Sequence, residues 1–221
     1  MLCPDCAEAL PTTARPAWPD PVPAGLVPPW AAGEYDGSVR ALVIGHKERR
    51  LLGLTAPLAG LLAEAVRAAL ADQPGGPVVL VPVPSRPGVV RLRGHDPTRR
   101  VTTGAARLLR RAGADVLAIS MLRCRPGVVD QAGLDASRRA ANLAGSLHCP
   151  TAQLRRLAAR RTHARIVICD DVVTTGATLR EAQRALEAVG LDVAAAAAIA
   201  ATRRRIPTRG RSPLSSVDPE D

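Results

Sequence analysis

Aromatic side chains are almost absent from this chain: Trp18, Trp30 and Tyr35, with no phenylalanine, make up 1% of its 221 residues. That scarcity argues against a nucleic-acid reader that stacks bases on aromatic platforms. Lysine is nearly absent too, since Lys47 is the single lysine among 30 basic residues. The remainder is arginine, whose planar fork suits phosphate. The five cysteines, at positions 3, 6, 124, 149 and 169, are odd in number and scattered. They do not read as a disulfide framework, and a reducing cytoplasm is the expected compartment. No apolar run reads as long enough to span a bilayer, the alanine-rich Val193–Ala201 being too short. The N-terminus lacks a charged region followed by an apolar core, so no secretory signal and no membrane insertion are expected.

What remains is 47% hydrophobic and 23% charged, with a net charge of +10. That is one ordinary globular domain with some length to spare. The basic balance bears on solubility and partners, not on fold.

Residues 1–30 are proline-rich and without periodicity, opening on Cys3-Pro-Asp-Cys6. They read as a small stub and an extended linker, with order beginning near Tyr35. Residues 51–71 read as a helix starting near Thr55, with Pro57 tolerated in its first turn. Val78–Val83 is a short apolar run bounded by turn residues, hence a buried strand. Asp96-Pro97 opens a helix that runs to about Ala112 and stops at Gly113. Val116–Ile119 reads as a strand, 123–150 as a loop or excursion, and 165–169 as another strand. A helix over 176–189 and a strand over 192–200 follow. Strands alternating with helices predict an α/β fold with parallel pairing and right-handed crossovers. The tail 203–221 lacks apolar periodicity and reads as disordered. The domain division is therefore 1–32, 33–202 and 203–221.

The chemistry concentrates in Ile166-Val-Ile-Cys-Asp-Asp-Val-Val-Thr-Thr-Gly-Ala-Thr178. A buried strand delivers Asp170 and Asp171 to its carboxyl end, where open α/β sheets bind ligands. A short Thr–Gly loop then leads into a helix. Gly176 is expected to let the backbone approach a ligand. Loop and helix N–H groups would face a phosphate, aided by the hydroxyls of Thr174, Thr175 and Thr178. The two acids suit sugar hydroxyls or a hydrated Mg²⁺. Val81-Pro-Val-Pro-Ser-Arg86 leaves another strand, with Arg91 and Arg93 nearby as donors. Arg139 and Asn142 lie three apart, on one face if helical. His46, His95, His148 and His163 show no metal-ligand spacing.

The segment 166–178 resembles the phosphoribosyl-pyrophosphate (PRPP) loop of type I phosphoribosyltransferases. Further motifs resemble the ComF family of amidophosphoribosyltransferase-like proteins: Tyr35-Asp-Gly37 followed by Lys47, Val81-Pro-Val-Pro84, Arg93-Gly94, and Gln131 to Leu134 with Arg139 and Asn142. The likeness covers about residues 33–202. It implies a type I phosphoribosyltransferase fold: a mainly parallel, twisted central sheet flanked by helices, with a hood. It also implies transfer of ribose 5-phosphate from PRPP, with Mg²⁺, to an acceptor that the sequence does not identify. On that reading Asp170, Asp171 and Lys47 serve catalysis. The loop Val172, Val173, Thr174, Thr175, Gly176, Ala177 and Thr178 grips the 5-phosphate. Pro82, Val83, Pro84, Ser85, Arg86, Arg93, Gly94, Gln131, Arg139 and Asn142 form the pyrophosphate and hood elements.

Two departures stand out. His95-Asp96-Pro97 replaces the family's Phe-Asn-Gln, and the family's four-cysteine zinc module is reduced to Cys3 and Cys6. Structural Zn²⁺ wants four ligands, so a missing upstream segment would be needed to complete the module. A competing class is a competence factor that handles single-stranded DNA or a protein partner during DNA uptake. Thirty basic residues, with Arg203-Arg-Arg205 among them, permit backbone contacts. A third is a sensor that binds PRPP without catalysing transfer. Oligomerisation is open.

Overall fold

The computed structural model describes residues 2–73, 75–85, 88, 94–125, 143–161 and 163–202. Six strands form one sheet. In chain order these are β1 (Arg15–Pro16), β2 (Pro29–Glu34), β3 (Val78–Pro82), β4 (Val116–Ala118), β7 (Arg165–Val173) and β8 (Val193–Ala201). Their spatial order is β1-β2-β8-β7-β3-β4. All neighbours pair in parallel except the edge strand β1, which is antiparallel to β2. A separate two-stranded ladder joins β5 (Arg123–Cys124) to β6 (Leu147–His148).

The helices that matter here, among the described residues, are α1 (Pro4–Glu8), α2 (Gly37–Lys47), α3 (Thr55–Ala69), α4 (Pro97–Arg111), α5 (Thr151–Ala158) and α6 (Ala177–Glu187). One face of the sheet packs against α2, α3 and α4 through Leu42, Leu58, Leu62 and Val101. The other packs against α5 and α6 through Leu157, Leu179 and Leu186. Helices on both faces explain why β3 is buried at every position and reads as a continuous apolar run. The alanines of β8 divide between the two cores. Small residues there let helices approach closely. The same economy appears at Gly104, where an added Cβ would stand 2.8 Å from the Cβ of Ala59 on the neighbouring helix.

Topology places the site. From β3 the chain passes through α4 to β4 on one side; from β7 it passes through α6 to β8 on the other. The direction of winding therefore reverses between β3 and β7, and the crevice at their carboxyl ends is where such sheets bind ligands.

Several sequence expectations hold. Asp96 caps α4 by accepting from the Arg99 N–H at 3.0 Å, and Gly113, at φ +90°, follows the helix end. Others are corrected. Order does not begin near Tyr35: β2 lies in the sheet, paired with β8 from Pro29↔Ala196 to Glu34↔Ala201. The proline-rich stretch before it packs on the domain, with Leu26 buried. The strand expected over 165–169 continues through both acids to Val173. Helix α2 and helix α5 were not anticipated. The stretch Leu52–Ala69 is helical and, contrary to the sequence expectation, long and apolar enough to cross a membrane. Its apolar side is spent on the core, where Leu58 and Leu62 are fully buried.

Candidate active site

The carboxyl ends of β3 and β7 lie side by side, in register at Pro82↔Cys169, with the Val83 N–H donating to the Cys169 carbonyl at 2.8 Å. Pairing with β3 stops there, while β7 stays paired with β8 to Val173↔Ala201. On the unpaired side the carboxylates take over the backbone donors. Asp170 Oδ1 accepts from the Asp171 N–H at 2.8 Å, and Asp171 Oδ1 from the Val172 N–H at 2.8 Å. Asp171 Oδ2 is bonded to Lys47 Nζ, delivered by the last turn of α2. Asp36 caps the start of that helix, its Oδ1 accepting from the Gly37 N–H at 2.7 Å. The sequence pairing of Lys47 with the acids is thus brought together in space, across 124 residues of chain. Burial pushes the Asp170 carboxyl well above the usual carboxylate range; the charge of Asp171 adds to this, and Lys47 opposes it.

Val172 and Val173 belong to β7, and Val173 is buried, so the loop proper is Thr174-Thr175-Gly176. Gly176 sits at φ +72°, a left-handed conformation, and starts α6. Thr175 Oγ1 lies 3.5 Å from the Ala177 N–H. Among the described residues the backbone N–H groups of Thr174, Thr175, Gly176, Thr178 and Leu179 find no acceptor. Unpaired donors at a helix start, with its positive dipole end, form a cradle whose chemistry suits an anion.

The sequence expectation is that Gly176 lets the backbone approach a ligand; the structure adds a second constraint at the same position. A Cβ there would meet Pro19 Cγ at 2.9 Å, Leu26 Cδ2 at 3.1 Å and Pro23 Cγ at 3.3 Å. The proline-rich segment therefore forms a strap behind the loop. Helix α6 holds it: Arg180 Nε donates to the Ala24 carbonyl at 2.9 Å, and Gln183 Nε2 to the Gly25 carbonyl at 2.9 Å. The Val27 N–H donates in return to Gln183 Oε1 at 3.0 Å. Sequence reasoning missed this strap because proline runs carry no periodicity. Its only sequence signal is the buried-type Leu26 amid prolines.

On the β3 side, Ser85 faces Asp96: its N–H lies 3.4 Å and its Oγ 3.5 Å from the carboxylate. Gly94, at φ +70°, abuts Arg50, whose Nη2 would stand 2.6 Å from an added Cβ. Arg86, Arg91, Arg93, Gln131, Arg139, Asn142 and the tail 203–221 lie outside the described residues.

Next to Lys47 in the chain is His46, 2% exposed, to which the sequence assigns no role. Its ring packs edge-on against His95, centroids 5.6 Å apart. The Thr55 hydroxyl donates to the Leu52 carbonyl at 2.7 Å, so His46 Nε2, 3.0 Å from Thr55 Oγ1, must carry the proton. Burial pushes the imidazole down to about 4, with His95 and Arg100 repelling charge and Asp171 opposing them. The unfolded ring titrates near its ordinary value, so the unfolded chain takes up the proton first as pH falls. The stability contributed by a neutral His46 is complete above about pH 6.5 and is lost toward about pH 4. Denaturant unfolding is expected to lose ~2.5 kcal/mol from this group between about pH 7 and pH 4.5. His46→Gln keeps a donor for Thr55 and should flatten that slope. Equal slopes in both proteins would remove His46 as its source.

Cys3 and Cys6 meet at α1, where Cys3 Sγ accepts from the Cys6 N–H at 3.4 Å. Cys169 is buried inside β7 and Cys149 is buried beyond β6. Among the described residues no three His, Cys, Asp or Glu side chains gather as a metal site. The cysteines present do not fit a structural Zn²⁺, which needs four ligands.

No curated protein matches the chain. The family described as phosphoribosyl transferase domain matches residues 107–212, just under half of its length. That span runs from α4 through the acids, the anion cradle and β8. The six-stranded, mostly parallel sheet flanked by helices, the switch point between β3 and β7, and this match together identify a type I phosphoribosyltransferase fold.

Proposed function

We propose that the chain binds PRPP and transfers its ribose 5-phosphate to an acceptor, releasing pyrophosphate. The observation that carries this reading is the cradle after β7: backbone donors without acceptors, beginning three residues beyond Asp171, the acid that Lys47 holds beside Asp170. The family match supports phosphoribosyl transfer in general. The resemblance of Tyr35-Asp-Gly37 with Lys47, and of Val81-Pro-Val-Pro84, to the ComF family narrows the reading further.

In this mechanism the cradle N–H groups and the threonine hydroxyls hold the 5-phosphate. Asp170 and Asp171 orient the ribose hydroxyls. Their hard oxygen donors also fit Mg²⁺, which when bound with PRPP would neutralise the leaving pyrophosphate. Lys47 fixes the Asp171 carboxylate and adds positive charge at the same mouth. The exit of β3, Pro82–Ser85, borders the pyrophosphate side. Little covalent chemistry falls to the protein: positioning and fixed charge carry the rate, and pre-orientation alone can contribute about 7–11 kcal/mol.

Calorimetric titration of PRPP, with and without Mg²⁺, tests the reading. Saturable binding that needs Mg²⁺ is expected, followed by pyrophosphate release once the acceptor is supplied. A well-folded sample that binds no PRPP under either condition would overturn it.

A further inference from the structure

The residue that directs Lys47 lies one position before it. Helix α2 buries Val39, Leu42 and Val43 along its length, and His46 is the last buried side chain before its end. Successive helical side chains point about 100° apart. A fixed His46 ring therefore fixes the rotation of the final turn, and with it the direction in which Lys47 leaves toward β7. That direction matters because a lysine stem is long and freely rotating, and Nζ must meet a carboxylate 124 residues away in the chain.

Two elements grip the ring. Its Nε2 donates to Thr55 Oγ1, 3.0 Å away at the start of α3. It also meets the His95 ring edge to face, at 80°, in the turn before α4. The turn after Lys47 reaches the same two neighbours. The Leu51 N–H donates back to the Gly45 carbonyl at 3.0 Å, and Leu54 Cδ1, just before α3, would stand 2.9 Å from a Cβ on Gly45. Arg50, left-handed at φ +57°, sets its Nη2 against Gly94. Residues 45–55 and 94–96 thus pack as one unit around a buried imidazole. Asp96, in that unit, caps α4 and lies 3.4 Å from the Ser85 N–H at the exit of β3. His46 and Asp171 also border one small cavity with Lys47, Pro97 and Thr98. At about 10 Å³ it is at the lower limit for a single water, so the core side of the ion pair is close-packed.

We propose that His46 is a positioning residue for the site: it holds the end of α2 at the rotation that brings Lys47 to Asp171, and it ties that end to the turn behind the β3 exit. It touches no substrate. A histidine that served stability alone could be replaced without changing the order of Lys47.

Lys47 is the single lysine, so lysine labelled with ¹³C at Cε gives one side-chain NMR signal from the full chain. In the parent its two Hε protons are expected to be inequivalent, as in a held side chain. His46→Phe fills the space without a donor, and Thr55→Val removes the acceptor. In either variant, once a thermal melt shows it folded, the two protons should merge into one sharp signal. His46→Gln, whose amide can donate to Thr55, should keep them apart. An averaged signal in the parent, or a separated one in both His46→Phe and Thr55→Val, would overturn the role. Titration of PRPP with Mg²⁺ reads the consequence for binding, which rests on the function proposed above. His46→Phe is expected to weaken binding about fivefold in the parent and less than about twofold in a Lys47→Met background, because both changes then act on one interaction. Equal losses in the two backgrounds would reduce His46 to a structural residue and overturn the role likewise. A parent that binds no PRPP removes the ligand alone, and the lysine signal still decides whether His46 directs Lys47.

Discussion

Asp170→Asn combined with Asp171→Asn is expected to lower the affinity for PRPP at least about tenfold, ~1.4 kcal/mol, while the fold persists. The fold persists because an asparagine oxygen can accept the same backbone N–H groups that Asp170 and Asp171 now hold at 2.8 Å. It also persists because neutral amides remove the cost of burying a carboxylate beside another acid; burial first and Asp171 second raise the Asp170 carboxyl. Binding falls because the ribose and Mg²⁺ lose both anionic oxygens and Lys47 loses its partner. Lys47 is about one-third exposed and can turn to water, so its own destabilisation should be small. Calorimetry with PRPP and Mg²⁺, alongside a thermal melt, separates the two effects. Unchanged affinity in a folded double variant would sink the assignment of these acids.

Gly176→Val should act on binding and stability together. The residue sits at φ +72°, which costs a β-branched side chain about 1–2 kcal/mol. Its new atoms would also press on Pro19, Leu26 and Pro23, and such overpacking typically costs about 1–3 kcal/mol more. A drop of several degrees in Tm and loss of measurable PRPP binding are expected. Gly60→Ala is the control: it lies within α3, where a Cβ meets nothing within 4 Å. It should be neutral or slightly stabilising. A Gly176→Val protein that melts and binds PRPP like the parent would show that neither the turn nor the strap constrains the loop.

The sequence made the central sheet legible where local chemistry is strong. Val78–Val83, Asp96-Pro97 and Gly113 each carry an unambiguous signal, and the strand, cap and stop stand as read. The Thr–Gly turn into a helix after the two acids stands as read for the same reason. Elements held by tertiary contacts were not legible. Helix α2 contains Val39, Val43, Ile44 and Gly45, poor helix formers that packing overrides. Strand β2 begins at Pro29, which suggests a linker until the neighbouring β8 is in place. His46 carried no spacing signal, because its partners Thr55 and His95 are assembled only by the fold.

The strap also sets the order in which the protein can finish itself during synthesis. Pro19, Pro23 and Leu26 leave the ribosome well before the loop and helix they brace, which come some 150 positions later, as the 156-residue separation of Val27 and Gln183 shows. Such distant partners pay a large loop-closure cost before any contact rewards it. The loop therefore gains its brace only when β8 and α6 are docked and the earlier-made strap packs against them. A chain trimmed at Pro28 would keep the sheet strand β2 and lose the strap that braces Gly176 and α6.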